Sequence, residues 1–314
     1  TLAYTPLFLL APALCAQGAP KPEKRPNVLF VIVDDLNHWI GALGRNTQTK
    51  TPAIDALAKR GVLFQNAYCP APLCNPSSAA IFSGMRPGTT GVYENSHDWR
   101  EVVSKEKTLP GVFAQAGYRT VGVGKTYDYK YERHADYEAY AERKTLGRWP
   151  VPKAEEMKTF GEPQWGPVDC KDEDTPEYKM VNYAIGELGA QAKKGAGAQP
   201  LFLAVGLFRP HAPWFVPRKY YDMHPRENIE LPPFSENDLD DLPPPARRLV
   251  GEKVFKNISE SGQWKAAIQG YLAAVSYADA QLKRLFDELE KHPKLKENTI
   301  IVFWGDNGWH LGEK

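Results

Sequence analysis

The sequence predicts an α/β protein with a mostly parallel, doubly wound central sheet, and three observations carry that fold class. Runs such as "NVLFVIVDD" (Asn27 to Asp35) and "LFLAVGL" (Leu201 to Leu207) are continuously apolar and rich in β-branched residues. Parallel strands covered on both faces read this way, without polar alternation. Segments with helix start and stop residues stand between the runs. The 314 residues, 42% hydrophobic and 25% charged, have an ordinary globular composition, long enough for one large α/β domain or two smaller ones.

In chain order, "NVLFVIVDD" is the first strand. "TPAIDALAKRG" follows as a helix, with Thr51 at the N-cap, Pro52 at the first helical position and Gly61 as the stop. "VLFQNAY" reads as a strand. "TLPGVFAQAGY" repeats the helix grammar with Thr108, Pro110 and Gly117, and leads into the strand "YRTVGVGK". After "LFLAVGL", a helical pattern runs from about Gln263 to Leu289, and "NTIIVFWGDNG" ends the series as a last core strand. Two Pro/Gly-rich stretches, Gly147 to Asp174 and Pro213 to Arg247, are too polar and broken for core, and long loops of this kind are usually functional. There is no internal repeat and no low-complexity tract.

Residues 1–26 stand apart. "PLFLLAPALCAQGAP" is a short apolar run ending in small residues, followed by the polar "KPEKR". It reads as the remnant of a secretory signal and a linker, with cleavage points from Ala16 to Ala19, so export to a periplasmic or extracellular location is expected. A lipid anchor at Cys15 is disfavoured by Leu14. Residues 27–314 form the folded part. No apolar run reaches the ~18 residues of a membrane span. A net charge of +1 gives no reason to expect a nucleic acid or an anionic membrane as partner. Four cysteines are too few for a disulfide scaffold, and if Cys15 leaves with the signal, the remaining three cannot all pair.

The chemistry gathers at strand ends. Asp34 and Asp35 directly follow one apolar strand, and Asp306 and Asn307 follow another. Ligands of open α/β sheets bind beyond the carboxyl ends of the strands, so three carboxylates and an amide oxygen can meet there. Like charges that close are costly without a cation, and an all-oxygen set suits Ca²⁺ or Mg²⁺ rather than Zn²⁺. Cys74 stands just before a helix start in "PLCNPSSAAIFSGMRP", where unpaired N–H groups and the helix dipole favour an anion or an ionised nucleophile. On its own, a cysteine there is as readily a small buried hydrophobe.

Taken together, the segments "RPNVLFVIVDDLN", "TPAIDALAKRGVLFQNAY", "CNPSSAAIFSGMRPGTTGVY", "TLPGVFAQAGYRTVGVGK", "FRPHAPWFVPRKYYD" and "GDNGWHLGEK" resemble, in order and spacing, the sulfatase family of the alkaline-phosphatase superfamily. Their order and spacing look most like those of bacterial relatives of iduronate-2-sulfatase. The resemblance implies an alkaline-phosphatase-like α/β/α sandwich. It also implies that residues 27–314 are the N-terminal catalytic domain, C-terminally truncated, with a smaller C-terminal subdomain outside this chain. It further implies a sulfuric ester hydrolase acting on a sulfated sugar or similar ester. Its nucleophile would be formylglycine, made from Cys74 by a formylglycine-generating or equivalent maturation enzyme. Asp34, Asp35, Asp306 and Asn307, with the group at Cys74, fall where the family holds Ca²⁺, Mg²⁺ being the lesser choice. Lys125 matches a lysine that contacts sulfate and nucleophile, and His211 a histidine close to the ester oxygen. His310 is placed to orient the site, and Arg86 to close the nucleophile helix.

Three departures stand beside the match. Ser78 occupies the fifth position of Cys-x-Pro-Ser-Arg, where the family has the arginine that holds formylglycine and is read by the converting enzyme. Tyr127 and Asp128 stand where a histidine follows the matched lysine, and His134 is off-register. The chain stops shortly after Asp306, before a second active-site lysine, and Lys314 lies too close to Asp306 to be that lysine. Two alternatives follow: a catalytically degenerate binding protein, or a phosphoester or phosphonate hydrolase of the same superfamily using unconverted Cys74.

Overall fold

A computed structural model describes residues 25–159, 163–195, 197–247, 250 and 252–312 of the protein. The signal-like segment with Cys15, and Lys314, lie outside the described residues. Five strands form the main sheet: β1 (Asn27–Val33), β2 (Arg119–Gly124), β3 (Ala139–Ala141), β6 (Leu201–Leu207) and β8 (Thr299–Gly305), in the order β3-β2-β6-β1-β8. All four pairings are parallel. β4 (Lys158–Thr159), β5 (Gln164–Val168) and β7 (Trp214–Pro217) make a second, small sheet in the order β4-β5-β7.

The alternation of side chains along β1 builds two cores. Leu29, Val31 and Val33 face one hydrophobic cluster, filled by α4 (Pro176–Lys194) and α5 (Trp264–Glu290). Val28, Phe30 and Ile32 face the other, filled by α2 (Cys74–Ser83) and α3 (Leu109–Gln115) through Ala79, Phe82 and Phe113. Both faces of β1 are therefore dry, which is why its sequence lacks polar alternation. Each such fully buried side chain is worth about 1.5–3 kcal/mol. The result is the expected three-layer α/β/α sandwich.

Register then decides where the polar residues emerge. Val33 is level with Leu207 on one side and with Gly305 on the other, and Gly124 is level with Gly206. The chain thus leaves β1, β2, β6 and β8 at one edge, delivering Asp34, Lys125, Phe208 and Asp306 side by side.

Four expectations from the sequence need correction. "VLFQNAY" is not a strand: residues 62–68 run irregularly over the surface, with Val62, Phe64 and Tyr68 exposed. No strand among the described residues offers them a ladder. β8 is an edge strand, not a core one, because among the described residues β1 alone borders it and Ile300 and Val302 face solvent. The two long Pro/Gly-rich stretches contribute β5 and β7, whose Trp165 and Trp214 are 2% and 0% exposed and join the larger core. A few large aromatics outweigh a polar average, since each buries up to ~150–250 Å². Lastly, Thr51 occupies the N-cap of α1 (Pro52–Arg60) without a side-chain cap bond. Asp279 of α5 instead accepts from the N–H groups of Ala53 (3.1 Å) and Ile54 (2.8 Å). Thr108, by contrast, caps α3 as expected, accepting from the N–H of Gly111.

Candidate active site

Asp34 and Asp35 follow β1 as its apolar run ends. The N–H of Asp34 still bonds to the carbonyl of Leu207 (3.1 Å), extending the ladder with β6 by one residue. Asp35 then turns with φ 59°, a left-handed conformation uncommon for a residue with a Cβ. The turn is braced from two directions: the Asp35 N–H donates to Asp306 Oδ1 (2.9 Å), and its carbonyl accepts from the Tyr271 hydroxyl (2.9 Å). Asp306 Oδ1 also accepts from the N–H of Asn307 (2.8 Å), and Asn307 Nδ2 donates to Asp35 Oδ1 (2.6 Å). One carboxylate oxygen from each of Asp34, Asp35 and Asp306 lies within 4.8 Å of the other two.

Lys125 reaches this cluster because glycines let two strand ends come close. A Cβ at Gly124 would lie 2.1 Å from the Gly206 carbonyl oxygen, and one at Gly206 would lie 2.0 Å from that of Lys125. The Lys125 side chain is buried and its Nζ hydrogen-bonds Asp34 Oδ2. Cys74 is the first residue of α2, one position further into the helix than the sequence indicated, with Leu73 as N-cap. Its Sγ lies 3.6 Å from Asp34 Oδ1 and 3.9 Å from Asp35 Oδ1. Ser77, on the same helix, donates to the Asp306 carbonyl and so pins α2 to the end of β8.

His211 enters from the turn after β6. Its N–H bonds to the Phe208 carbonyl (2.8 Å), its Nδ1–H donates to the Ala212 carbonyl, and its Nε2 lies 3.9 Å from Asp35 Oδ2. Arg209 clamps the same turn. Its Nη1 donates to the His211 carbonyl (3.2 Å), and its guanidinium stacks 4.0 Å above the Trp149 ring. Buried Glu177, at the start of α4, accepts from the N–H of Arg209 (2.6 Å).

The electrostatics are those of charges crowded out of water. Burial pushes the Asp34 carboxyl up to about 6 against the pull of Lys125. Burial, then neighbouring charge, raises Asp35 and holds Asp306 well above the usual carboxylate range. Burial and the Asp34 charge likewise push the Cys74 thiol up. Burial opposes the Lys125 ammonium, but Asp34 and its acidic neighbours hold it well above the usual lysine range. Burial, followed by the Lys125 charge, lowers His211.

A divalent cation relieves this crowding, and the residues fit one. Two ligands at about 2.3–2.6 Å from a common Ca²⁺ stand at most about twice that distance apart, which the 4.8 Å spread satisfies. Asn307 Oδ1 is buried and has no partner among the described residues, as a vacant ligand oxygen would be. All seven residues singled out in the sequence, Asp34, Asp35, Cys74, Lys125, His211, Asp306 and Asn307, thus meet at one sheet edge.

The remaining positions go elsewhere. The Tyr127 ring packs on Phe82 and Trp99 (centroids 4.4 and 5.5 Å), with its hydroxyl 3.4 Å from Asp136. Asp128 caps the turn at Lys130 (3.0 Å). His134 pairs with Glu132 (3.1 Å) and stacks on Tyr140, and His310 is exposed. Arg86 is exposed, and its carbonyl accepts from the N–H of Thr89 (2.8 Å) in the short turn after α2. Ser78, one turn beyond Cys74, is buried. Sequence reasoning missed Tyr271, Glu177 and Arg209. The first two sit on buried helix faces that carry no local signal, whereas Arg209 stands two residues before His211 inside "FRPHAPW".

The sulfatase family model matches residues 26–314, and the chain belongs to the sulfatase family. It is 37% identical to a sulfatase of Formosa agariphila over 94% of this chain and 61% of that protein. To the iduronate 2-sulfatase of Mus musculus it is 34% identical, over 98% of this chain and 58% of that protein. A solved 2-O GAG sulfatase superposes with a TM-score of 0.62 at 23% identity, over 92% of this chain and 59% of that one, and shares the alkaline-phosphatase-like fold. The chain spans about three fifths of the length of these relatives.

Proposed function

We propose that this chain carries the catalytic face of a sulfatase that hydrolyses a sulfate ester of a sulfated carbohydrate. The observation that carries the reading is the meeting of Cys74, Lys125 and His211 with the Asp34, Asp35, Asp306 and Asn307 cluster at one sheet edge. The printed names of the relatives, iduronate 2-sulfatase among them, support a sulfated sugar as the substrate class. The signal-like residues 1–26 support export.

Asp34, Asp35, Asp306 and Asn307 would hold Ca²⁺, which supplies charge compensation and polarises a sulfate oxygen. Conversion of Cys74 to formylglycine supplies a hydrated aldehyde as nucleophile at a helix N-terminus. Lys125, held by Asp34, presents a fixed cation toward charge that develops on the sulfate oxygens. His211 is lowered toward its neutral form in the free site. A bound sulfate monoester adds negative charge beside it, and the ring is placed to give a proton to the departing alcohol. Arg209 and Glu177 hold the turn that carries this ring.

Two measurements on the chain coexpressed with a formylglycine-generating enzyme test the reading: the mass of the peptide containing residue 74, and turnover of an aryl sulfate. An aldehyde at position 74, and turnover that Cys74→Ala abolishes, are expected. Ser78 and the inward-turned Tyr127 favour a second reading, a binding protein on the same fold. Retention of the thiol and binding of a sulfated glycan without turnover would select it.

A further inference from the structure

Two ligand sets of different chemistry share Asp34. The first is the all-oxygen cluster above. In the second, one atom each from Asp34, Cys74 and His211 lies within 4.8 Å of the other two. A thiol, an imidazole and a carboxylate form a borderline-soft set, the kind that selects Zn²⁺ over Ca²⁺. We propose that the unconverted chain binds Zn²⁺ through Cys74 Sγ, His211 Nε2 and Asp34 Oδ1, a site that exists only while residue 74 keeps its sulfur.

The local geometry prepares each ligand. The His211 Nδ1–H donates to the Ala212 carbonyl, which sets the tautomer and leaves the Nε2 lone pair facing the carboxylates. A backbone carbonyl behind a ligating imidazole is the usual support of a histidine on zinc. Arg209 holds the His211 carbonyl from the other side (3.2 Å). Asp34 divides its two oxygens: Oδ2 accepts from Lys125, and Oδ1 faces Cys74 Sγ at 3.6 Å. A thiolate sulfur about 2.3 Å and a carboxylate oxygen about 2.0–2.2 Å from one Zn²⁺ are a little over 3.5 Å apart in tetrahedral geometry, so this pair stands at nearly the right separation. Three protein ligands leave a fourth position for water.

Binding is balanced simply: the Cys74 thiol loses its proton to solvent, its sulfur bonds to the metal, and no electron moves. The inference needs only the thiol and stands whether or not the converted protein is a sulfatase.

The test uses the full chain expressed without a converting enzyme, stripped of metal and titrated with Co²⁺ and then Zn²⁺. Expected are a near-ultraviolet sulfur-to-cobalt charge-transfer band, its displacement by Zn²⁺, and release of one proton per bound metal. Cys74→Ser should remove the band and weaken Zn²⁺ binding by more than ~100-fold, beyond the ~10–100-fold that loss of an outer-shell partner costs. His211→Ala should also weaken it, while Cys69→Ser and Cys170→Ser leave it unchanged. A readout without variants is alkylation of wild-type protein by iodoacetamide, in which Zn²⁺, but not Ca²⁺, should protect residue 74. Absence of the band, a band that survives Cys74→Ser, or alkylation of Cys74 indifferent to Zn²⁺ would overturn the proposal. If turnover fails in the converted protein while these results hold, the sulfatase reading alone falls.

Discussion

Lys125 keeps its charge where burial opposes it, and its bond to Asp34 is what allows this. Preorganised in that way, the ammonium would need no reorientation as charge builds on a sulfate, if the chain acts as proposed. Lys125→Ala should therefore lower kcat/KM for an aryl sulfate by at least ~10²-fold, as loss of one fixed oxyanion contact does. Ser78 poses the opposite question. It is buried on α2 at i+4 from Cys74, on the same helix face, so a longer cationic side chain there would lie next to Cys74. Ser78→Arg, coexpressed with a formylglycine-generating enzyme, should raise the fraction of aldehyde at position 74 and the aryl-sulfatase rate together. Peptide mass and initial rate read the two effects, and no change in either would show that Ser78 does not limit the protein.

Among the elements, α1 takes its N-terminal partner from a distant helix, and the first turn of α4 carries a buried carboxyl. Asp279 of α5 receives two N–H groups of α1 inside the core. Asp279→Ala leaves those donors buried without an acceptor, and urea denaturation should report a loss of roughly 1–3 kcal/mol for each group left unsatisfied. At α4, burial pushes the Glu177 carboxyl up to about 7 from an ordinary 4.5, although Arg209 pulls it down. The folded protein thus keeps a proton there that the unfolded chain releases, so this group's contribution to stability falls as pH rises from about 4.5 to about 7. Glu177→Gln keeps an acceptor for the Arg209 N–H and removes that titration. Its melting temperature relative to wild type should climb between about pH 5 and about pH 8, and a constant difference across that range would refute the assignment.

At the scale of the molecule, the sheet is unevenly protected. β1 and β6 have a strand on each side and helices on both faces, whereas β8 exposes Ile300 and Val302 along a free edge among the described residues. Exposed apolar edges promote pairing between molecules unless charge interrupts them. Ile300→Lys with Val302→Lys should reduce light scattering of concentrated protein, at a cost within about 0.5 kcal/mol per exposed site. Hydrogen exchange should be slowest in β1 and β6 and faster in β8.

Much of this was legible locally. A continuous apolar run names a doubly covered strand, because a side chain buried on either face must be apolar. The Asp and Asn pairs that end two such runs point to one acidic cluster, because the carboxyl ends of parallel strands share one edge. The motif order from "RPNVLFVIVDDLN" to "GDNGWHLGEK" carried the family, and Lys125 and His211 were singled out from it. What a window of sequence cannot contain is the identity of the partner across space. "VLFQNAY" has the composition of a strand, but a strand exists only where another backbone supplies its hydrogen bonds. Thr51 is a good cap by type, yet Asp279, 226 residues along the chain from Ala53, takes the helix end. Trp165 and Trp214 look like loop residues until α5 covers them. Tyr271 braces Asp35 from the middle of a helix whose local pattern says only that this face is buried. Apolar runs, helix grammar and the charged doublets are local properties of the chain, and so the sequence by itself determined them; strand pairing, capping and bracing are contacts between distant segments, and these the tertiary structure alone decided.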